Sequence, residues 1–437
     1  MQIQIKKSKT PLQGEITIPS DKSISHRAVM FASLANGESI IENFSKGADC
    51  MSTLSVFENF GVDAEFIDDK TLRIKSDGTL KAPTAPLDCG NSGTTMRLMS
   101  GILAGQSFES TLVGDESLSK RPMGRVIAPL EKMGAKIVGQ KKIDGGKEKI
   151  TAPLKIFGQK LNAIDYVSSL ASAQVKSCVL LAGLFAEGKT SFKEPYLSRN
   201  HTELMLEYMG ANIFSDGKNT AKVEKSQLQA KRITIPGDIS SAAFFIVAGL
   251  IVPDSDIILK NVGLNPTRTG ILDVVQKMGG NVEILDKKTV SNELVGDLRV
   301  SYSRLHGCTI EGELIPKLID ELPVIAVLAT QAEGKTVVKD AGDLRNKESD
   351  RIKAVVCELK KLGADIEETE DGFIVQGNPN QGLAGGCEVE TYHDHRLAMS
   401  LYVAGLLCEK ALTINGFEWV NISFPEFENS MQNLLAL

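Results

Sequence analysis

The sequence predicts an α/β protein built as two similar domains, and three observations predict it. An apolar helical stretch, a small turn and a β-rich run recur six times, roughly 70–80 residues apart, which is the signature of a repeated structural unit. Glycine-terminated helix ends interleave with these recurrences, each followed by another β-rich run. The helices that precede the turns are apolar on every side, and such helices must be buried.

The recurring element reads Leu34-Ala-Asn-Gly37, Leu103-Ala-Gly105, Phe185-Ala-Glu-Gly188, Ile251-Val-Pro-Asp254, Thr330-Gln-Ala-Glu-Gly334 and Leu407-Cys-Glu-Lys410. The helix ends between them are Phe60-Gly61, Met133-Gly134, Met209-Gly210, Met278-Gly279 and Leu362-Gly363. Glycine there supplies the left-handed conformation that closes a helix. Each unit therefore reads strand, helix, strand, helix, then one or two strands. The helices before the turns start at Ser20-Asp21, Gly90-Asn-Ser92, Asp165-Tyr-Val-Ser168, Gly237-Asp238, Asp320-Glu321 and Tyr392-His-Asp394, nearly all with capping residues. Ala242 to Val252 and Leu322 to Ala329 are the most apolar.

Six buried helices, three per half, give two domains. The join falls near Ile233-Thr-Ile-Pro-Gly-Asp238, whose counterpart at the start is Ile16-Thr-Ile-Pro-Ser-Asp21. The expected division is residues 21–235 for one domain and 1–20 with 236–437 for the other, with a cleft between hinged halves.

Composition narrows the function. The 437 residues include 49 Lys+Arg against 55 Asp+Glu, a net charge of -6, which argues against a general polyanion-binding surface. At 5% aromatic residues, base-stacking platforms are also unexpected, so nucleic acid is not the anticipated partner. No apolar run approaches the ~18 residues of a membrane span, and the first residues lack the apolar core of a signal peptide. The seven cysteines form no CxxC pair, which suits reduced thiols in a cytoplasmic protein.

Several motifs carry chemistry. Gly183-Leu-Phe-Ala-Glu-Gly188-Lys189-Thr190 matches a phosphate-binding loop in letters, but it follows a helix and opens a strand, the reverse of the order that loop requires. Gly90-Asn-Ser-Gly93-Thr-Thr-Met-Arg97 leads into a helix, whose free N–H groups favour an anion over a plain cap. Ser20-Asp-Lys22-Ser23-Ile-Ser-His-Arg27 places cations in the first turns of a helix, where they oppose the dipole and call for a bound anion. Lys120-Arg121-Pro122-Met-Gly-Arg125 clusters three cations, with Pro122 fixing the backbone that aims Arg121.

Ser168 to Ser177 is polar for the start of a buried helix: its groups either satisfy the turn or face a polar ligand. Leu197-Ser-Arg199-Asn-His-Thr-Glu203 is a similar start. Asp320 reads equally as a helix cap or as a catalytic base. Asp343 to Arg351 is a dense charge run, by default a solvated helix face on which Glu348 and Arg351 are three residues apart. His393-Asp-His395 lacks a third ligand cluster among five histidines, so no metal is expected.

Taken together, these stretches resemble the 5-enolpyruvylshikimate-3-phosphate synthase family in order and over most of the chain. The stretches that match are Asp21 to Arg27, Gly90 to Arg97, Lys120 to Arg125, Ser172-Ala-Gln174, Arg199 to Glu203, Asp320 to Pro323, Lys347 to Arg351 and Asp394 to Arg396. The resemblance implies two domains of three βαβαββ units each, with buried helices, an inside-out α/β barrel. It implies transfer of the enolpyruvyl group of phosphoenolpyruvate to the 5-hydroxyl of shikimate 3-phosphate, without cofactor or metal, in a monomeric enzyme.

By the same resemblance, Lys22 touches both substrates. Ser23, Arg27, Ser172, Ala173, Arg199 and Lys347 hold shikimate 3-phosphate, Gln174 lies between the two, and Gly93, Arg121, Arg351 and Arg396 hold phosphoenolpyruvate. Asp320 is the implied base and Glu348 the implied group that exchanges a proton with the methylene carbon, and the resemblance leaves open which of Glu348 and Lys22 is the acid in each half-step. Gly93 stands where a side chain would crowd phosphoenolpyruvate, so glyphosate is expected to compete. The sister enzymes that act on UDP-amino sugars share this fold, but many use a loop cysteine, and Gly114 to Arg125 contains none. A non-catalytic anion-binding scaffold is the alternative of another class, and Asp320 and Glu348 argue against it.

Overall fold

A computed structural model describes residues 1–144 and 147–435, and it divides into two compact units. One contains Ser20–Ile235 with Val290–Glu293; the other contains Met1–Pro19, Pro236–Thr289 and Leu294–Leu437.

In the first unit, three sheets share one pattern of pairing. Leu87–Asp88 runs parallel to Glu109–Val113, which is antiparallel to Lys147–Phe157, and that strand pairs antiparallel with Lys136–Asp144. Asp165–Val167, Lys189–Lys193, Thr220–Glu224 and Ile213–Ser215 repeat the arrangement. So do Ala35–Glu42, Leu72–Asp77 and Asp63–Phe66, with Leu228–Gln229 and Arg232–Thr234 parallel to the first of them. Behind the sheets lie the helices Lys22–Leu34, Gly93–Ala104 and Ala173–Gly183, buried along most of their length. The last two meet backbone to backbone: a Cβ on Gly101 would stand 2.1 Å from the Cys178 carbonyl oxygen, so only glycine permits this approach. That contact packs the two helices directly against each other.

The second unit repeats the scheme. Its sheets are Gln13–Thr17, Asp256–Gly263, Glu293–Ser301 and Asn281–Val290; Leu305–His306, Ala332–Val338, Phe373–Gly377 and Asp365–Glu368; and Gln2–Ile5, Leu412–Asn415 and Glu388–Glu390. The buried helices are Ile239–Ile251, Leu322–Thr330 and His395–Gly405. Every residue of Ile239–Ile251 is buried. At about 1.5–3 kcal/mol for each large apolar side chain removed from water, its two phenylalanines, three isoleucines, valine and leucine are the core of this unit. The N-terminal strands belong here, Gln2–Ile5 beside Leu412–Asn415 and Gln13–Thr17 beside Asp256–Gly263.

Gly61, Gly134, Gly210, Gly279 and Gly363 all have φ between +80° and +95°, as their places at helix ends require. Three expectations need correction. Asp165 to Val167 is a strand; the helix starts only at Ala173, behind a Ser172 cap, because the polar run 168–172 forms a turn first. Asp320 is not the cap of Leu322–Thr330: Glu321 stands at that position, and the Asp320 carboxylate turns to cations instead. The charge run does not lie on a helix as a whole, since the helix begins at Arg351, and Arg351 is 1% exposed rather than solvated.

Candidate active site

In the first unit, helix starts deliver the polar side chains. Asp21 caps Lys22–Leu34 by accepting the Ile24 amide at 2.8 Å. Lys22, half-buried, places Nζ 2.6 Å from Asp49 Oδ2. One turn on, Arg27 is buried and held on three sides. Its Nε donates to Thr202 Oγ1 at 2.8 Å, Nη1 to the Ser23 carbonyl at 2.9 Å and Nη2 to Ser177 Oγ at 2.8 Å. Burial lowers its pKa to about 10, opposed by Glu203, so it stays charged at neutral pH. These bonds tie three helices around the buried Arg27.

Ser92 caps Gly93–Ala104, and Gly93 is its first residue. A Cβ on Gly93 would sit 3.2 Å from Arg97 Nη1 and 3.4 Å from Arg121 Nη1, so this glycine marks a cationic recess. Arg97 donates to Gln174 Oε1 at 2.5 Å, and Gln174 Nε2 donates to Thr94 Oγ1 at 3.2 Å. Arg121 donates to Asn91 Oδ1 at 2.8 Å. Its backbone is extended, φ -75° and ψ 137°, as a residue before proline prefers. Ser172 and Ala173 start the helix that carries Gln174.

Arg199 precedes the helix His201–Tyr208, beside Ser198. Beneath that turn, Lys176 lies fully buried between Glu194 at 2.9 Å and Glu203 at 2.8 Å, and it donates to the Ser198 carbonyl at 3.0 Å. Burial opposes its charge, yet the two carboxylates outweigh it and raise the Lys176 pKa. A chain of side chains, His26 Nδ1 with Thr53 Oγ1 and Thr53 Oγ1 with Thr95 Oγ1, each at 2.6 Å, links the Lys22 and Gly93 helices.

In the second unit, a buried guanidinium organises three carboxylates. Arg351 Nε donates to Asp394 Oδ2 at 2.7 Å, Nη2 to Glu348 Oε2 at 2.7 Å and Nη1 to Asp320 Oδ1 at 3.2 Å. Burial by itself would lower the Arg351 pKa, but Asp394, Glu348 and Asp320 raise it well above the ordinary value. Lys347 Nζ reaches the same Asp320 oxygen at 3.3 Å. Asp394 caps His395–Gly405 by accepting the Arg396 amide at 2.9 Å, and Arg396 Nη1 approaches the Asp320 carbonyl at 3.5 Å.

The structure thus gathers Lys22, Ser23, Arg27, Gly93, Arg121, Ser172, Ala173, Gln174 and Arg199 in one unit and Asp320, Lys347, Glu348, Arg351 and Arg396 in the other. Arg97, Asn91, Asp49 and Asp394 had no role assigned from sequence. Arg97 carried a signal, a cation in the first turn of a helix that reads as an anion site. Asp394 carried none beyond its capping position. Among the described residues, no group of His, Cys, Asp or Glu is arranged to hold a metal ion, and no helix is long and apolar enough to cross a membrane. All seven cysteines are free thiols.

Helix N-termini bearing lysine and arginine in one unit, and carboxylates held at hydrogen-bond distance from cations in the other, are arrangements suited to small, multiply charged anions. The family model for EPSP synthase (3-phosphoshikimate 1-carboxyvinyltransferase) matches residues 6–431. The chain is 52% identical to the 3-phosphoshikimate 1-carboxyvinyltransferase of Thermoanaerobacter sp. (strain X514), covering 99% of this chain and 100% of that one. It is 51% identical to the protein of the same name from Bacillus subtilis (strain 168), over 97% of each. Among solved structures, EPSP synthase from Acinetobacter baumannii superimposes with a TM-score of 0.87 at 42% identity, over 99% of this chain and 97% of that one. The enolpyruvyl transferase NikO from Streptomyces tendae shares the fold, with a TM-score of 0.77 at 17% identity, over 99% of this chain and 97% of that one. The chain belongs to the EPSP synthase family, whose members transfer an enolpyruvyl group in the shikimate pathway.

Proposed function

We propose that the two clusters serve one pair of substrates, shikimate 3-phosphate and phosphoenolpyruvate, in a cytoplasmic, monomeric enzyme of six βαβαββ units. The observation that carries the reading is the convergence of Asp320 and Glu348, one oxygen of each, on the Arg351 guanidinium at 3.2 and 2.7 Å. Two carboxylates held by one fixed cation can divide the proton transfers of an addition and an elimination between them.

Charge supports the substrate class. Two phosphates carry about -1.5 to -2 each at neutral pH, and each substrate adds a carboxylate. Lys22, Arg27, Arg121, Arg199, Lys347, Arg351 and Arg396 meet that charge. In this reading Ser23, Arg27, Ser172, Ala173, Arg199 and Lys347 hold shikimate 3-phosphate, and Gly93, Arg121, Arg351 and Arg396 hold phosphoenolpyruvate. Lys22 touches both substrates and Gln174 lies between them.

Asp320 takes the proton from the 5-hydroxyl as its oxygen bonds to C2 of phosphoenolpyruvate. A proton from Glu348 or Lys22 goes to the methylene carbon, giving a tetrahedral intermediate. Return of a methyl proton to the same group expels phosphate and restores the double bond. Asp320 gives the hydroxyl proton to the departing phosphate, so the site ends as it began.

The test is phosphate release by the purified protein with both substrates, without added metal, beside a UDP-N-acetylglucosamine control. Release that depends on shikimate 3-phosphate supports the assignment, and release only with the UDP-sugar overturns it. Asp320→Ala retaining full turnover would remove the proposed base. Glyphosate should compete with phosphoenolpyruvate in the same assay.

A further inference from the structure

Tyr392 and His393 stand side by side in the left-handed region, with φ +52° and +60°. Histidine visits that region more readily than most residues, but a bulky aromatic there is an outlier that persists only when its surroundings impose it. Contacts on both residues impose it here. Tyr392 OH donates to Glu358 Oε1 at 2.7 Å, and the His393 ring stacks on Trp419, centroids 4.7 Å apart and planes at 30°. The turn is closed by Asp394 N donating to the Thr391 carbonyl at 2.9 Å, and Thr391 Oγ1 donates to the Gly416 carbonyl at 3.0 Å.

Glu358 is a fixed anchor. Its side chain is 0% exposed, Lys361 Nζ reaches its two oxygens at 3.0 and 2.7 Å, and the Glu390 amide donates to Oε2 at 3.1 Å. It lies on the helix Arg351–Lys361, two turns beyond Arg351 and therefore on the same side. The helix and the turn are consequently joined twice, by Arg351 with Asp394 at one end and by Glu358 with Tyr392 at the other. A single tie would leave the turn free to swing about it. Two ties set the angle at which Asp394 and Arg396 leave the turn.

We infer that Tyr392 and Glu358 are positioning residues for the phosphoenolpyruvate half of the reaction: their hydrogen bond holds the strained turn that orients Arg396. The inference rests on the assignment of Arg351 and Arg396 to phosphoenolpyruvate, so the experiment tests both.

KM for each substrate, kcat and melting temperature are to be measured for Tyr392→Phe, Glu358→Gln, their double variant and Arg396→Lys. Tyr392→Phe keeps the ring and removes the tie. It should raise KM for phosphoenolpyruvate about tenfold, the size of one net hydrogen bond, with KM for shikimate 3-phosphate and melting temperature nearly unchanged. Glu358→Gln keeps a carbonyl that can accept the Tyr392 hydroxyl, so it should raise KM for phosphoenolpyruvate less than Tyr392→Phe, and the double variant should lose no more there than Tyr392→Phe. An unchanged phosphoenolpyruvate KM in Tyr392→Phe, with Arg396→Lys impaired, overturns the positioning role alone. An unchanged KM in Arg396→Lys overturns the assignment beneath it. Parallel rises in both KM values with a falling melting temperature would make the pair merely structural and overturn the inference. Should Glu358→Gln fail to fold, Tyr392→Phe decides.

Discussion

Asp394 accepts Arg351 Nε at 2.7 Å, with the two side chains 0% and 2% exposed, so neither ion has water to fall back on. Burial alone would push the Asp394 carboxyl up, but Arg351 outweighs it and holds the pKa below the usual carboxylate range. A carboxylate depressed in the folded state contributes stability above its unfolded pKa, about 3.9, and loses it as pH falls through the folded value. Asp394→Asn should cost about 3–5 kcal/mol at neutral pH, because it leaves Arg351 buried with one carboxylate fewer. Urea unfolding between pH 5 and pH 2.5 checks the sign: the parent should lose stability more steeply below about pH 4 than the variant does. Equal slopes would show that the pair is not what resists acid.

Gly93 opens a helix with no positive φ, so alanine there has no backbone penalty and a better helix propensity. The added Cβ would press on Arg97 and Arg121, at 3.2 and 3.4 Å. Both arginine tips are flexible ends and can give way, so the fold should hold while the recess shrinks. Gly93→Ala should therefore melt at or above the parent temperature and show a KM for phosphoenolpyruvate raised several-fold. An unchanged KM would place phosphoenolpyruvate away from this recess.

His26 is fully buried, and burial lowers its pKa to about 3, with Asp49 opposing. It is neutral at working pH but, buried and only weakly basic, is poorly suited to be the general base, although it neighbours Arg27 in sequence. The unfolded chain takes up a proton near pH 6.5 that the folded chain refuses until about pH 3, so the neutral form adds stability above 6.5 that is lost on the way down. Over that interval the loss is about 5 kcal/mol. His26→Gln should flatten the fall in stability between pH 6.5 and pH 3, whatever its stability at pH 7. A parent and a variant that fall in parallel would contradict the buried, neutral histidine.

The parts of this architecture legible in sequence were those with a local physical signature. Gly61, Gly134, Gly210, Gly279 and Gly363 announced helix ends because the left-handed conformation selects glycine. The helix Ile239–Ile251 announced its burial by carrying no charge. What was not legible depends on partners distant in sequence. Arg351 sits in a run that looks solvated, and only Asp394 and Asp320, 43 and 31 residues away, make it a buried hub. Asp320 and Glu321 differ by one position, yet the fold gives the capping place to the second and the cations to the first. The strand at Asp165–Val167 was hidden because the serines after it imitate a helix start while they build a turn.

Lys176 is the clearest case of a residue whose effect should travel. It is buried between Glu194 and Glu203, and both Lys176 and Glu194 grip Ser198, the latter through its amide at 2.8 Å and its hydroxyl at 3.0 Å. Ser198 adjoins Arg199, which our assignment places on shikimate 3-phosphate. Lys176→Met would fill similar space but strand two carboxylates in an apolar surround, a loss of about 3–5 kcal/mol. It would also release the Ser198 carbonyl, so KM for shikimate 3-phosphate should rise more than KM for phosphoenolpyruvate. Lys176→Arg keeps the charge and should recover part of both losses. Steady-state kinetics with each substrate varied, beside thermal melts of the two variants, check this. A Lys176→Met protein that melts with the parent would show the buried triad to be energetically neutral, and equal rises in both KM values would sever it from Arg199.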